Sequence, residues 1–310
     1  YTLAKKLFEF QMNYKVIFLG LLLSILACDD NEALIKPTAY QLQAGSGSFI
    51  YNQFEPFSGK PIEVFYHIPE NVDNTLPILI SLHGADRNGN NHRNTLVNKS
   101  NQFKFIVIAP QFTVNYFPGG DTYNLANIFI DGDNPSITSL NAENQWTFSV
   151  LDPIFNYIKS ITNNNSDKYN LIGFSAGGQL AHRTFLFGNS ISCNKTIAMS
   201  SGWYTTINNN IDFPYGLNYS PLQTSDLSNV FAKELIILVG ENDNNPNAAG
   251  LRRNSIVDLQ GTNRLDRANY FYSLAESMAS EQDIPFNWEI AIIPNASHEL
   301  SPISNYAINL

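Results

Sequence analysis

A serine, an aspartate and a histidine, each set just beyond an apolar run, make the first pattern in this sequence that could do chemistry. Ser175 sits in Gly173-Phe174-Ser175-Ala176-Gly177; Asp243 comes three residues after the run ending in Gly240; His298 follows the run over residues 288–293. A serine hydroxyl becomes a nucleophile near neutral pH only beside a base. An imidazole, with an ordinary pKa of about 6.5, can take that proton and return it. A carboxylate behind the imidazole fixes its tautomer and stabilises the imidazolium. Together the three residue types predict nucleophilic acyl transfer. Glu241 is the alternative acid, but it lies closer to the strand end, where reach to the histidine is poorer. Of the five histidines, His298 alone both follows a terminal strand and comes after the acid.

These side chains need elements that aim them. Tyr169–Phe174 reads as a buried strand and Gln179–Phe187 as a helix, with the serine on the turn between them. That strand–turn–helix context makes G-x-S-x-G a nucleophile elbow. Gly173 and Gly177 relieve the crowding of the turn, and the helix N-terminus favours developing negative charge. A second apolar strand, Pro77–Leu82, runs into His83-Gly84-Ala85-Asp86. The loop after this strand is expected to give one backbone N–H to an oxyanion, from Ala85 or else Asp86, and Ala176 gives the other. His83 is expected to shape the loop through its side chain. With Asp86, Trp203 and Tyr204 it is also a candidate substrate contact. Trp203 and Tyr204 follow the strand over residues 196–200 and could wall an acyl or aryl group; plain packing is the other reading.

The remaining strands are expected at 45–51 and 62–68, an antiparallel pair, and at 105–109. Helices are expected over 146–161, with Phe148, Leu151, Phe155 and Ile158 on one face, and over 263–280. Residues 111–145 are irregular and rich in Gly, Asn and aromatics, and are read as a wall of the substrate cleft. His67 is expected on a strand surface, His92 solvated or holding its loop, and His182 packed two turns below Ser175. Asp131-Gly132-Asp133-Asn134 lacks the further ligands of a calcium loop, so no metal is expected.

The chain has 310 residues, 44% hydrophobic and 15% charged, with a net charge of −9. That is enough for one large core, and the charge argues against nucleic acid as a partner. Residues 1–11 precede Met12, a plausible start. A basic start and an apolar run over 16–27, of signal-peptide length, end in Ile25-Leu26-Ala27-Cys28. This resembles a bacterial lipoprotein box with Cys28 lipidated; the other reading is an ordinary signal peptide cleaved near Ala27. The expected organisation is a signal segment over 1–28, a polar tether over 29–40 and one catalytic domain over 41–310. An exported protein anchored in the cell envelope by its N-terminal lipid follows. Cys193 then has no partner for a disulfide and is read as structural.

The order Ser175, Asp243, His298 is that of the α/β-hydrolase triad. The chain resembles α/β-hydrolases of the polyhydroxybutyrate-depolymerase and feruloyl-esterase-like group over about residues 60–300. The likeness is carried by Gly173–Gln179 with His182-Arg183, by Leu251-Arg252-Arg253, and by Gln260-Gly261-Thr262-Asn263-Arg264. It implies an α/β fold with a mostly parallel central sheet, helices on both faces and a single domain. It also implies a serine hydrolase acting on a small-molecule or oligomeric carboxylic ester, without a cofactor. The alternatives are a serine peptidase of the same fold and a lipid-anchored binding protein without turnover.

Overall fold

The apolar runs become the strands of one sheet. In the computed structural model these are β1 (Gly45–Tyr51), β2 (Ile62–Ile68), β3 (Ile78–Leu82), β4 (Ile106–Gln111), β5 (Tyr169–Phe174), β6 (Cys193–Met199), β7 (Glu234–Gly240) and β8 (Trp288–Ile293). The structure describes residues 42–70, 73–188, 191–222 and 226–310. The signal-like segment, Cys28 and the tether lie outside the described residues. The strand order is β1-β2-β4-β3-β5-β6-β7-β8. β1–β2 and β2–β4 pair antiparallel, and all later pairs are parallel.

Strands buried on both faces need apolar side chains on both, which is why β3 and β7 read as almost unbroken aliphatic runs. Ile78, Ile80 and Leu82 enter one core and Leu79 the other, as the two-residue period requires. Helices cover each face: α1 (Gly89–Phe103), α2 (Leu151–Thr162), α3 (Ala176–Phe187), α4 (Leu227–Phe231), α5 (Arg264–Glu281) and α6 (Leu300–Ala307). Leu96 of α1 and Ile303 of α6 pack with Leu79, Val107 and Leu238. Leu151 of α2, Leu180 of α3 and Phe271 of α5 pack with Ile80, Ile108 and Ile237 on the opposite face. The expected mostly parallel sheet with helices on both faces is present. Among the described residues no helix is long and apolar enough to cross a membrane.

Three local expectations are corrected. The Asn/Arg-rich stretch after residue 88 is a helix, α1, not a solvated loop. Its inner stripe is Gly89, His92, Arg93, Leu96 and Ser100, helical in spacing but largely polar in type. His92 is therefore buried, with Nδ1 3.2 Å from the Ser81 hydroxyl. His67 is buried as well, between Ser46 Oγ at 2.8 Å and Asn101 Oδ1 at 3.0 Å. The helix expected from residue 146 begins at Leu151, after a 3-10 turn over Thr147–Val150. Pro153 falls in its first turn, where a missing N–H leaves no bond unmade.

Candidate active site

Because β3, β5, β7 and β8 run parallel, their C-terminal ends share one edge of the sheet, and the loops leaving them meet there. The turn after β5 holds Ser175 at φ 56° and ψ −114°, a region that L-residues seldom occupy. Its N–H donates to Met199 O at 2.8 Å, and its carbonyl accepts from Gln179 N–H at 3.0 Å. The glycines around it are required by contact. A Cβ on Gly173 would lie 2.1 Å from Gly177 O, and one on Gly177 would lie 2.2 Å from Leu82 O. The hydroxyl thereby stands at the sheet edge, at the N-terminus of α3.

Gly240 ends β7, and a Cβ there would sit 2.3 Å from Ala296 O. That close approach lets Asn242 N–H donate to Ala296 O at 2.8 Å, locking the loop after β7 against the loop after β8. Asp243 Oδ2 lies 2.8 Å from His298 Nδ1, and His298 Nε2 lies 3.2 Å from Ser175 Oγ. A carboxylate only accepts, so Nδ1 carries the proton and the Nε2 lone pair faces the hydroxyl. The imidazole stacks on Phe174 with 4.7 Å between ring centroids. The structure thus brings together the three residues that the sequence singled out. Glu241, the alternative acid, instead accepts from Asn295 N–H at 2.8 Å and braces the histidine loop.

Asp243 is 4% exposed, and its Oδ1 meets Arg264 Nη1 at 3.3 Å. Sequence reasoning assigned Arg264 no role, although it ends the Gln260–Arg264 string. The pairing depends on α5 starting at Arg264 beside the acid loop, which no sequence signal gives.

On the other side of the serine, Ala85 is exposed and Ala176 half-buried, and neither amide has an acceptor among the described residues. A Cβ on Gly84 would come within 3.8 Å of Ser175 Cβ, so this loop lies against Ser175. His83 is fully buried, which removes it as a ligand contact. Its Nε2 accepts from Phe112 N–H at 2.9 Å, and Nδ1–H donates to Gly84 O at 3.0 Å. Burial pushes its pKa down to about 3, so it stays neutral while it shapes the loop. Tyr204 is also fully buried, stacked on Phe271 at 4.5 Å, which is the packing reading of the two that the sequence left open. Trp203 is nearly buried, with the Arg252 guanidinium 4.5 Å above its ring. Of the four candidate contacts Asp86 alone is exposed. His182 packs as expected, accepting from Thr205 N–H at 3.0 Å on Nε2.

The segment over 111–145 is tied down along its length. Arg87 donates to Phe112 O and Gly119 O, each at 2.8 Å, and the buried Arg183 donates to Asn124 O at 2.7 Å. Thr147 N–H donates to Ala126 O at 2.8 Å, and Asp133 pairs with Arg252. Asp131 is occupied by its own turn, accepting from Asp133 N–H at 3.0 Å and Asn134 Nδ2 at 2.8 Å. Among the described residues no group of three or more His, Cys, Asp and Glu could hold a metal ion. Cys193 is half-buried, and burial raises its thiol to about 11, which makes it unreactive.

No protein-family model and no curated protein matches the chain. Solved structures do. A poly(aspartic acid) hydrolase from Sphingomonas sp. KT-1 is similar at 30% sequence identity, over 87% of this chain and 99% of that one, with a TM-score of 0.82. A poly(3-hydroxybutyrate) depolymerase from Bordetella parapertussis aligns at 24% identity over 86% of this chain and 89% of that one, with a TM-score of 0.80. A fluorophosphonate-binding serine hydrolase from Staphylococcus aureus shares the fold at 15% identity and a TM-score of 0.55, over 86% of this chain and 98% of that one.

Proposed function

The chain belongs to the α/β-hydrolase family represented by that poly(aspartic acid) hydrolase, and from this we propose that it is a serine hydrolase cleaving carboxylic esters through an acyl-enzyme on Ser175. The observation that carries the proposal is the position of His298. It lies within hydrogen-bond distance of Asp243 on one ring nitrogen and of Ser175 on the other. Ser175 Oγ attacks the ester carbonyl and passes its proton to His298 Nε2. The imidazolium so formed is stabilised by Asp243. The Ala85 and Ala176 amides hold the oxyanion, each worth about 3 kcal/mol at the transition state. As the carbonyl re-forms, the C–O bond to the alcohol breaks, and the alkoxide takes the proton from Nε2. Water then attacks the acyl-serine, His298 accepts its proton and returns it to Ser175, and the carboxylic acid leaves.

The direct test is hydrolysis of p-nitrophenyl acetate and butyrate by the catalytic domain from about residue 40, beside Ser175→Ala. Turnover at least about a hundredfold above the variant supports the reading. Equal rates in folded protein would exclude simple esters and favour a binding protein without turnover.

A second reading, amide hydrolysis, is favoured by the name of the 30% identical relative, a poly(aspartic acid) hydrolase. The net charge of −9 opposes a polyanionic substrate. So does the engagement of Arg87, Arg183, Arg252 and Arg267 with backbone carbonyls and carboxylates. Release of amines from poly(aspartic acid), faster than ester turnover, would reverse the order of the two readings. We also propose that Cys28 carries a lipid that holds the domain at the cell envelope. Metabolic labelling with palmitate, lost in Cys28→Ala, is the expected result; label retained in the variant would contradict it.

A further inference from the structure

We propose that Arg264 is a positioning residue of this site, holding the Asp243 carboxylate aimed at His298. This rests on the functional reading above. The side chains of Asp243 and Arg264 are nearly sealed from water, 3% and 5% exposed. Burying a carboxylate is costly unless a cation or several donors compensate it. Arg264 Nη1 supplies the cation at Oδ1, 3.3 Å away, while Oδ2 is left to His298 Nδ1 at 2.8 Å. With one partner on each oxygen, the carboxylate plane cannot turn away from the imidazole.

The backbone fixes the same arrangement. Leu265 N–H donates to Asp243 O at 3.1 Å, so the first turn of α5 grips the acid loop by its main chain as well. Asn263 caps that turn, its Oδ1 accepting from Asp266 N–H at 2.9 Å. Just before it, Gln260 accepts from Tyr204 N–H at 3.0 Å and donates to Tyr204 O at 2.8 Å. One turn on, Arg267 donates to Gly202 O at 2.7 Å. The Gln260–Arg267 stretch therefore clamps the loop after β6 and the acid loop to one helix start, and Arg264 is the charged member aimed at the acid.

The other charged and titratable groups around the pair are committed elsewhere. Glu241 is exposed and accepts from Asn295 N–H, and Asp266 pairs with Asn263 Nδ2. Arg267 is bound to Asp258, the Tyr204 phenol is kept neutral by burial, and Glu299 is exposed beyond His298. Among the described residues Arg264 is thus the one cation paired with Asp243.

The test is kcat and KM for p-nitrophenyl butyrate in wild type, Arg264→Gln and Arg264→Lys. Without Arg264 the carboxylate loses its partner on Oδ1 and with it the fixed aim at His298 Nδ1. In the glutamine variant kcat falls about tenfold while KM changes little. The lysine variant keeps the charge and stays near wild type. If glutamine does not fold, Arg264→Met carries the same expectation. A wild type with Ser175-dependent turnover and unchanged kcat in the charge-free variants overturns the Arg264 assignment alone. Unfolding of all three variants also overturns it, leaving a structural cation. A wild type without Ser175-dependent turnover overturns the functional reading, and the assignment falls with it.

Discussion

Replacing Gly177 by alanine adds one carbon where no room exists. The new Cβ would lie 2.2 Å from Leu82 O, 2.5 Å from His83 O and 2.7 Å from Leu82 C, all backbone atoms. Carbon and oxygen rest comfortably at about 3.3 Å or more, so the end of β3 and the start of α3 must part by about 1 Å. Overpacking against backbone costs about 2–3 kcal/mol. In a domain of this size that lowers Tm by about 5–10 °C. The displaced atoms lead straight into Gly84 and Ala85, so the proposed oxyanion donor moves off its mark. A misplacement of about 1 Å can reduce kcat about a hundredfold, while KM changes little because such a donor acts mainly on the charge that develops in the transition state. Steady-state kinetics on p-nitrophenyl butyrate and a thermal melt of Gly177→Ala measure both quantities. Wild-type kcat together with wild-type Tm would refute the close-contact account of the elbow.

Asp243→Asn should lower kcat about 10³- to 10⁴-fold with KM little changed, because an amide cannot stabilise the imidazolium; a loss under tenfold would point to another acid. Arg267→Lys should destabilise the domain by about 3 kcal/mol in urea titration, since a buried fork donating to Gly261 O, Gly202 O and Arg252 O is replaced by a single ammonium; an unchanged midpoint would contradict this. Stability should fall as pH drops below about 6.5, because burial depresses His83 to about 3, His92 to about 4 and His182 well below its ordinary value. The unfolded chain then binds protons that the folded one refuses, up to about 1.4 kcal/mol per pH unit for each histidine. Urea midpoints at pH 7.5 and pH 5 that coincide would refute it.

What the sequence made legible were the features that backbone periodicity and motif spacing carry. β3, β5 and β7 announce themselves as apolar runs, and each ends beside a residue of the candidate site. The glycines of the elbow could be read because only contact explains two of them so close to a serine. What stayed hidden were polar groups turned inward. α1 was not visible because its buried stripe includes His92, Arg93 and Ser100, which in composition look like a solvated loop. His83 and Tyr204 appeared as ligand contacts because they flank the strand ends; packing against Phe112, Tyr123 and Phe271 takes them inside. Arg264 was seen as part of a string and not as a partner, since pairing across Asp243 depends on where α5 begins. α6 did have a readable pattern, Leu300, Ile303, Ser304 and Ala307 at helical spacing, and went unrecognised beside the histidine loop.

Trapping the acyl-enzyme tests the central claim most directly. The catalytic domain would be mixed with p-nitrophenyl butyrate, quenched in acid within the first turnover, digested and analysed by mass spectrometry. The account predicts a butyryl group on the peptide carrying Ser175, matched by a burst of p-nitrophenol, and neither in Ser175→Ala. Turnover with Ser175 unmodified, or undiminished in the alanine variant, would contradict it.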